Sequence, residues 1–271
     1  MRCKRLISEI CVISMISIMI SADIMNNNIY GVSEEKIGSS SKFGSSLDIG
    51  SSNMFVIDGG TEERDFTYET GVLKVISDTP MTIKNQNLGQ STTDRIVIRK
   101  NVNVDITLAG VKIDVSEMEN TAALKIEDDS SGNVTITLAE GTTNILKSGK
   151  NCAGLQKNGG NESIGGLTMK GKGRLIAAGG EYGAGIGGGI LGTGRNITIS
   201  GGKVTAKGGK YGAGIGGGCG GSGDVIEISG GEVKATGGDY GAGIGGGEKE
   251  TGVDIIISEK AAVTAKGGKT E

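Results

Sequence analysis

The chain has no histidine, no tryptophan, one proline and three phenylalanines in 271 residues. Without histidine, catalytic triads and imidazole-based acid–base chemistry are excluded. The scarcity of aromatic residues suits a core laid along a line, where no broad interior has to be filled. The only proline, Pro80, falls between two short apolar runs, at a corner where its missing N–H costs no ladder bond. Net charge is −3 with both signs interspersed along the sequence, which leaves no footprint for nucleic acid.

Glycine is abundant, at 52 residues. Composition alone would suggest disorder, but the glycines recur in register. E-Y-G-A-G-I-G-G-G begins at Glu181 and returns as K-Y-G-A-G-I-G-G-G from Lys210 and D-Y-G-A-G-I-G-G-G from Asp239. Tyr182, Tyr211 and Tyr240 are each 29 residues apart. A fixed period of that size marks a solenoid. The second and third copies follow I-T-I-S-G-G-K-V-T-A-K-G-G, from Ile197, and I-E-I-S-G-G-E-V-K-A-T-G-G, from Ile226. Each holds two alternating runs with β-branched residues around a Gly-Gly corner. Period-two alternation reads as half-buried strand. One unit then supplies about three short strands and three corners, one coil of a parallel β-helix.

Columns of like residues extend the pattern backwards. Leu124, Leu155, Ile186, Ile215 and Ile244 are spaced 31, 31, 29 and 29. Ile106, Ile136, Leu167, Ile197, Ile226 and Ile255 form a second column, and Leu108, Leu138, Met169, Ile199, Ile228 and Ile257 a third. Ala177, Ala206, Ala235 and Ala265 form a column of small residues. The expected fold is all-β: a right-handed, single-stranded parallel β-helix of about seven coils, 29–31 residues each. At a strand spacing of about 4.8 Å the rod is roughly 34 Å long. Glu181, Lys210, Asp239 and Lys269 make an outer column of alternating sign, the arrangement that stabilises a ladder.

Residues 1–31 read as a signal peptide, with basic M-R-C-K-R, an apolar run from Ile10 to Ile20, and cleavage near residue 22 or 31. Residues 32–53 read as a Ser/Gly-rich linker. Residues 54–71, with Phe55, Phe66 and Tyr68, read as an N-terminal cap over the first coil, and 72–271 as the β-helix. The sequence stops at Glu271, midway through a coil. That implies a longer protein or another cover for the last coil, and end-to-end self-association. Of the four cysteines, Cys3 and Cys11 fall in the leader. Cys152 and Cys219 sit at different positions within their coils and read as two small buried thiols.

G-A-G-I-G-G matches the dinucleotide fingerprint, but no helix follows it, so nucleotide binding is not expected. Tyr182, Tyr211 and Tyr240 are the candidate ligand-binding residues. Three rings one coil apart either form a strip for stacking sugars or only stabilise the corner. Asp128 and Asp129, in E-D-D-S-S-G, are weak metal candidates, since calcium wants more oxygen ligands than two carboxylates supply. No catalytic set emerges: Arg64, Arg95, Arg99, Arg174 and Arg195 share no spacing with acids.

V-T-I-T-L-A-E-G-T-T-N from Val134, A-G-L-Q from Ala153 and the Y-G-A-G-I-G-G-G copies carry a resemblance. The chain resembles secreted bacterial carbohydrate-binding proteins with a pectate-lyase-like, right-handed parallel β-helix. The similarity covers about residues 55–269. It implies binding of plant-type or other acidic polysaccharide, with calcium as an optional ion, no other cofactor and no catalysis. No ligand or metal residue of that family maps onto a position here. The expectation is a secreted or cell-surface polysaccharide-binding rod that is not an enzyme. The alternatives are a structural or adhesive stalk and, behind it, a polysaccharide lyase or hydrolase.

Overall fold

A computed structural model describes residues 53–160 and 164–269. The expected leader and the linker as far as residue 52 lie outside them. All regular structure among the described residues is strand. The alternation of V-T-I-T-L shows why. Val134, Ile136 and Leu138 point inward and are buried, while Thr135 and Thr137 point outward.

The strands form three parallel faces. Sheet I stacks Val72–Val75, Arg95–Ile98, Leu124–Ile126, Leu155–Gly159, Ile186–Gly187, Ile215–Gly216 and Ile244–Gly245. Sheet II stacks Met81–Asn85, Val104–Leu108, Val134–Leu138, Leu167–Gly171, Thr193–Ile199, Gly223–Ile228 and Gly252–Ile257. Sheet III stacks Lys112–Asp114, Thr143–Lys147, Arg174–Ala178, Lys203–Lys207, Glu232–Thr236 and Ala262–Lys266. Each coil visits I, II and III in turn. Six coils carry three strands, and the first turn carries two, with loop 86–94 in place of its third. The parallel β-helix therefore has about seven coils as expected, six of them full and the first incomplete.

The core is a set of columns. Leu73, Ile96, Leu124, Leu155, Ile186 and Ile215 stand in register and are fully buried. Each such side chain contributes about 2 kcal/mol by leaving water. Ala177, Ala206, Ala235 and Ala265 also stack as expected. Ile255 and Ile257 repeat the buried Ile226 and Ile228 one coil later, yet are 36% and 49% exposed. No further coil of the described residues lies over them.

One expected register is wrong. Ile136 pairs with Met169, not Leu167, and Leu138 pairs with Gly171, not Met169. The slip is two residues, so inward residues stay inward. Corner length causes it. Four residues, 139–142, join sheets II and III in one coil, but two, Lys172 and Gly173, do so in the next. A Cβ on Gly173 would lie 2.2 Å from the Ala139 carbonyl oxygen, so only glycine fits that corner.

The outer charge column is also corrected. Tyr211 N–H donates to Glu181 O and Tyr240 N–H to Lys210 O, both at 3.0 Å. The corners stack, but no salt bridge joins Glu181, Lys210 and Asp239 among the described residues. The Lys210 ammonium lies over the Tyr211 ring instead, 5.5 Å from its centroid. Cys152 is a buried free thiol. Burial raises its pKa to about 11. Cys219 is fully buried as well, and it is not joined to Cys152.

At the N-terminal end, Phe55–Asp58 runs antiparallel to Met81–Asn85, and Phe66–Glu69 antiparallel to Val72–Val75. Phe55 stacks on Tyr68 with centroids 5.8 Å apart. Asp65 accepts from Arg64, Ser77, Thr79 and the Thr61 N–H. The Arg64 hydrogen bond, foremost among these, holds its carboxyl well below the usual range.

Buried asparagine links coils. Asn144 is fully buried; its Oδ1 accepts from Gly110 and Val111 N–H, and its Nδ2 donates to Leu108 O and Arg174 O. Asn144→Ala would leave two buried N–H groups unsatisfied. It should cost about 3 kcal/mol in urea unfolding, while Thr143→Ala on the exposed face should change stability by less than about 0.5 kcal/mol.

Candidate ligand-binding surfaces

The glycine runs place the tyrosines. A Cβ on Gly212 would lie 2.1 Å from the Gly183 carbonyl oxygen, one coil away. Backbone stacks directly on backbone at this corner, and the tyrosines beside it come into register. Tyr182 and Tyr211 stack at 5.1 Å, and Tyr211 and Tyr240 at 5.2 Å, each 7° from coplanar. Tyr211 is 5% exposed and Tyr240 41%.

This arrangement limits what the column can do. A sugar packs on a ring's face, and both faces of Tyr211 are covered by its neighbours. Tyr240 ends the stack and offers an open face. Lys150 lies over Tyr182, with Nζ 6.0 Å from its centroid. The stack joins three coils at the corner, worth roughly 1 kcal/mol per pair beyond burial.

Asp128 and Asp129 lie in an exposed turn. Asp128 is engaged by Lys125 Nζ and by Asn158 Nδ2, both at 3.0 Å. Asp129 holds a left-handed backbone, with φ 55°. Neighbouring Glu127 pairs with Lys74 at 2.9 Å. Among the described residues, no group of three or more His, Cys, Asp or Glu converges as a metal site.

Sheet II carries rows of hydroxyls. Thr135, Thr168 and Thr198 are opposite one another on three successive coils, and Thr82, Thr107 and Thr137 on three. Being β-branched, they hold few rotamers, so hydroxyls repeat along the rod.

Lys157 was not singled out in the sequence. It stands opposite Ile126 in an inward position, 2% exposed, and donates from Nζ to the Arg195 carbonyl at 2.9 Å. The signal was its parity with Leu155, two residues earlier. Burial, helped by the charge of Arg195, pushes its pKa down to about 8.

A family model described as a beta helix repeat matches residues 167–190, 197–219 and 226–248. Its segments start at Leu167, Ile197 and Ile226, which are in register on sheet II. No curated protein and no solved structure matches the chain.

Two predictions follow from this geometry. Tyr211→Ala should destabilise by about 3 kcal/mol, from lost burial and two lost stacks. If the folded variant still binds glycan as the parent does, the tyrosine column is not the contact. For Lys157, both states are protonated below about pH 8. Between there and the unfolded value of 10.5, the unfolded chain binds more protons, so this group's contribution to stability rises with pH. Lys157→Met should be more stable than the parent at pH 7, by on the order of 3 kcal/mol. The gap, read from denaturation midpoints, should shrink towards pH 10.5.

Proposed function

Starting from a beta-helix repeat protein, we propose a secreted or cell-surface rod that binds polysaccharide and performs no catalysis. The observation that carries this reading is the repetition of outward polar side chains in register, as in Thr135, Thr168 and Thr198. A polymer lying along the axis meets the same group at each coil, about 4.8 Å further on. Individually weak contacts then add along the chain. Tyr240, at the end of its stack, would add one ring face. The basic and apolar start of the sequence supports export. The non-catalytic part is supported by carboxylates already held by lysines, Glu127 by Lys74 and Asp128 by Lys125.

The second reading, a structural stalk, is favoured by the tyrosine stack and glycine corners, which join coil to coil with no ligand. Self-association through the exposed Ile255, Ile256 and Ile257 belongs to either reading. A monodisperse monomer in light scattering at high concentration would overturn it.

A glycan array and pull-down on insoluble glycans, with and without chelator, separate the readings. The expected result is retention by at least one polysaccharide, with no unsaturated or reducing sugar released. Binding to none would favour the stalk, and sugar release would make the protein an enzyme.

A further inference from the structure

Charges that alternate in the sequence are sorted by face in the structure. On sheet I, Lys74 is neutralised by Glu127 and Lys125 by Asp128, which leaves Arg95 as the outward cation without a carboxylate partner among the described residues. Sheet III differs. Its outer face presents seven basic side chains and two carboxylates. Lys147 pairs with Asp114 at 2.8 Å, and Lys203 with Glu232 at 2.7 Å. Among the described residues, Lys112, Arg174, Lys207, Lys234 and Lys266 have no carboxylate partner. This excess sits on a chain whose net charge is −3.

The last four form a pattern. Arg174, Lys207, Lys234 and Lys266 stand on four successive coils, one on each. They are staggered across the strand, so none lies directly opposite another: Lys207 faces Ala178 and Thr236, and Lys234 faces Thr205 and Thr264. The row runs roughly 14 Å along the axis, at about 4.8 Å per coil. Ala178, Thr205, Thr236 and Thr264 lie between the cations, with the Lys203–Glu232 ion pair along one side of the row, so an extended chain can rest against the sheet. Gathered like charge does nothing for the fold's own stability; it raises the local concentration of an oppositely charged partner.

We propose that the outer face of sheet III binds an extended acidic glycan, its carboxylates meeting these cations directly with no bridging metal. The proposal rests on the polysaccharide reading above; it names an acidic ligand class and adds a second face to the threonine rows of sheet II. Each contact is weak and screened by salt, with a Debye length of about 10 Å at 0.1 M and about 3 Å at 1 M. Affinity comes from the row acting together.

The test uses a polyuronate and its uncharged methyl ester, titrated into the whole chain with chelator present. The polyuronate should bind at least about tenfold more tightly than the ester, and lose about tenfold or more as salt rises from about 0.05 to about 0.5 M. Lys207→Glu with Lys234→Glu should lose at least about tenfold. Arg99→Glu with Lys100→Glu, the same charge change at the exposed corner after Arg95–Ile98 of sheet I, should stay within about twofold. Circular dichroism checks that the variants fold. Equal binding of acid and ester, dependence on metal, or indifference to the sheet III pair would overturn the proposal. If neutral glycans bind and polyuronate does not, this proposal fails while the broader reading stands. If no glycan binds, both fail.

Discussion

The hydrogen bonds between successive coils are the constraint from which the other features follow. Leu155 N–H donates to Gly185 O, Ile186 N–H to Gly214 O and Ile215 N–H to Gly243 O, at 3.0–3.1 Å. Coils must therefore keep pace with one another, and any added or missing residue has to be absorbed at a corner. The two-residue slip between Val134–Leu138 and Leu167–Gly171 is taken up in this way by a shortened corner. Where corners stack backbone on backbone, only glycine fits, as at Gly212. Where a corner leaves polar groups inside, a buried amide such as Asn144 meets them.

Inside and outside have different tasks. Inward positions carry Leu, Ile, Val and Ala in columns, each packed on the residue one coil away. Lys157 interrupts that pattern and keeps its amine satisfied only through a backbone carbonyl. Outward positions are free to vary, and the faces differ in chemistry: mostly paired ions on sheet I, threonine rows on sheet II, an excess of unpaired cations on sheet III. A scaffold held by its backbone and core can change its outer side chains at little cost, so chemistry for a ligand is expected there.

The fold was legible because the repeat is carried by the residues that make the coil. Ile186, Ile215 and Ile244 recur at one spacing, and they stand in register. The slip at Leu167 was hidden because apolar residues two positions apart share parity, so either alignment satisfies the pattern. The surfaces were less legible. The tyrosine period could be counted, but not that stacking would cover both faces of Tyr211. Sheet III's charge was invisible in a net total, since only the fold tells which lysines share a face. Asn144 looks like an ordinary strand residue in T-N-I-L-K until its two outward-flanking corners are seen to converge on it.

The tyrosine corners make the protein's length divisible. Between Tyr182 and Tyr240, each unit of 29 residues meets only the unit before it and the unit after. Removing one such unit, or copying it, would leave every remaining junction with the same partners. The molecule could thus be shortened or lengthened in whole steps, with no redesign of its interior.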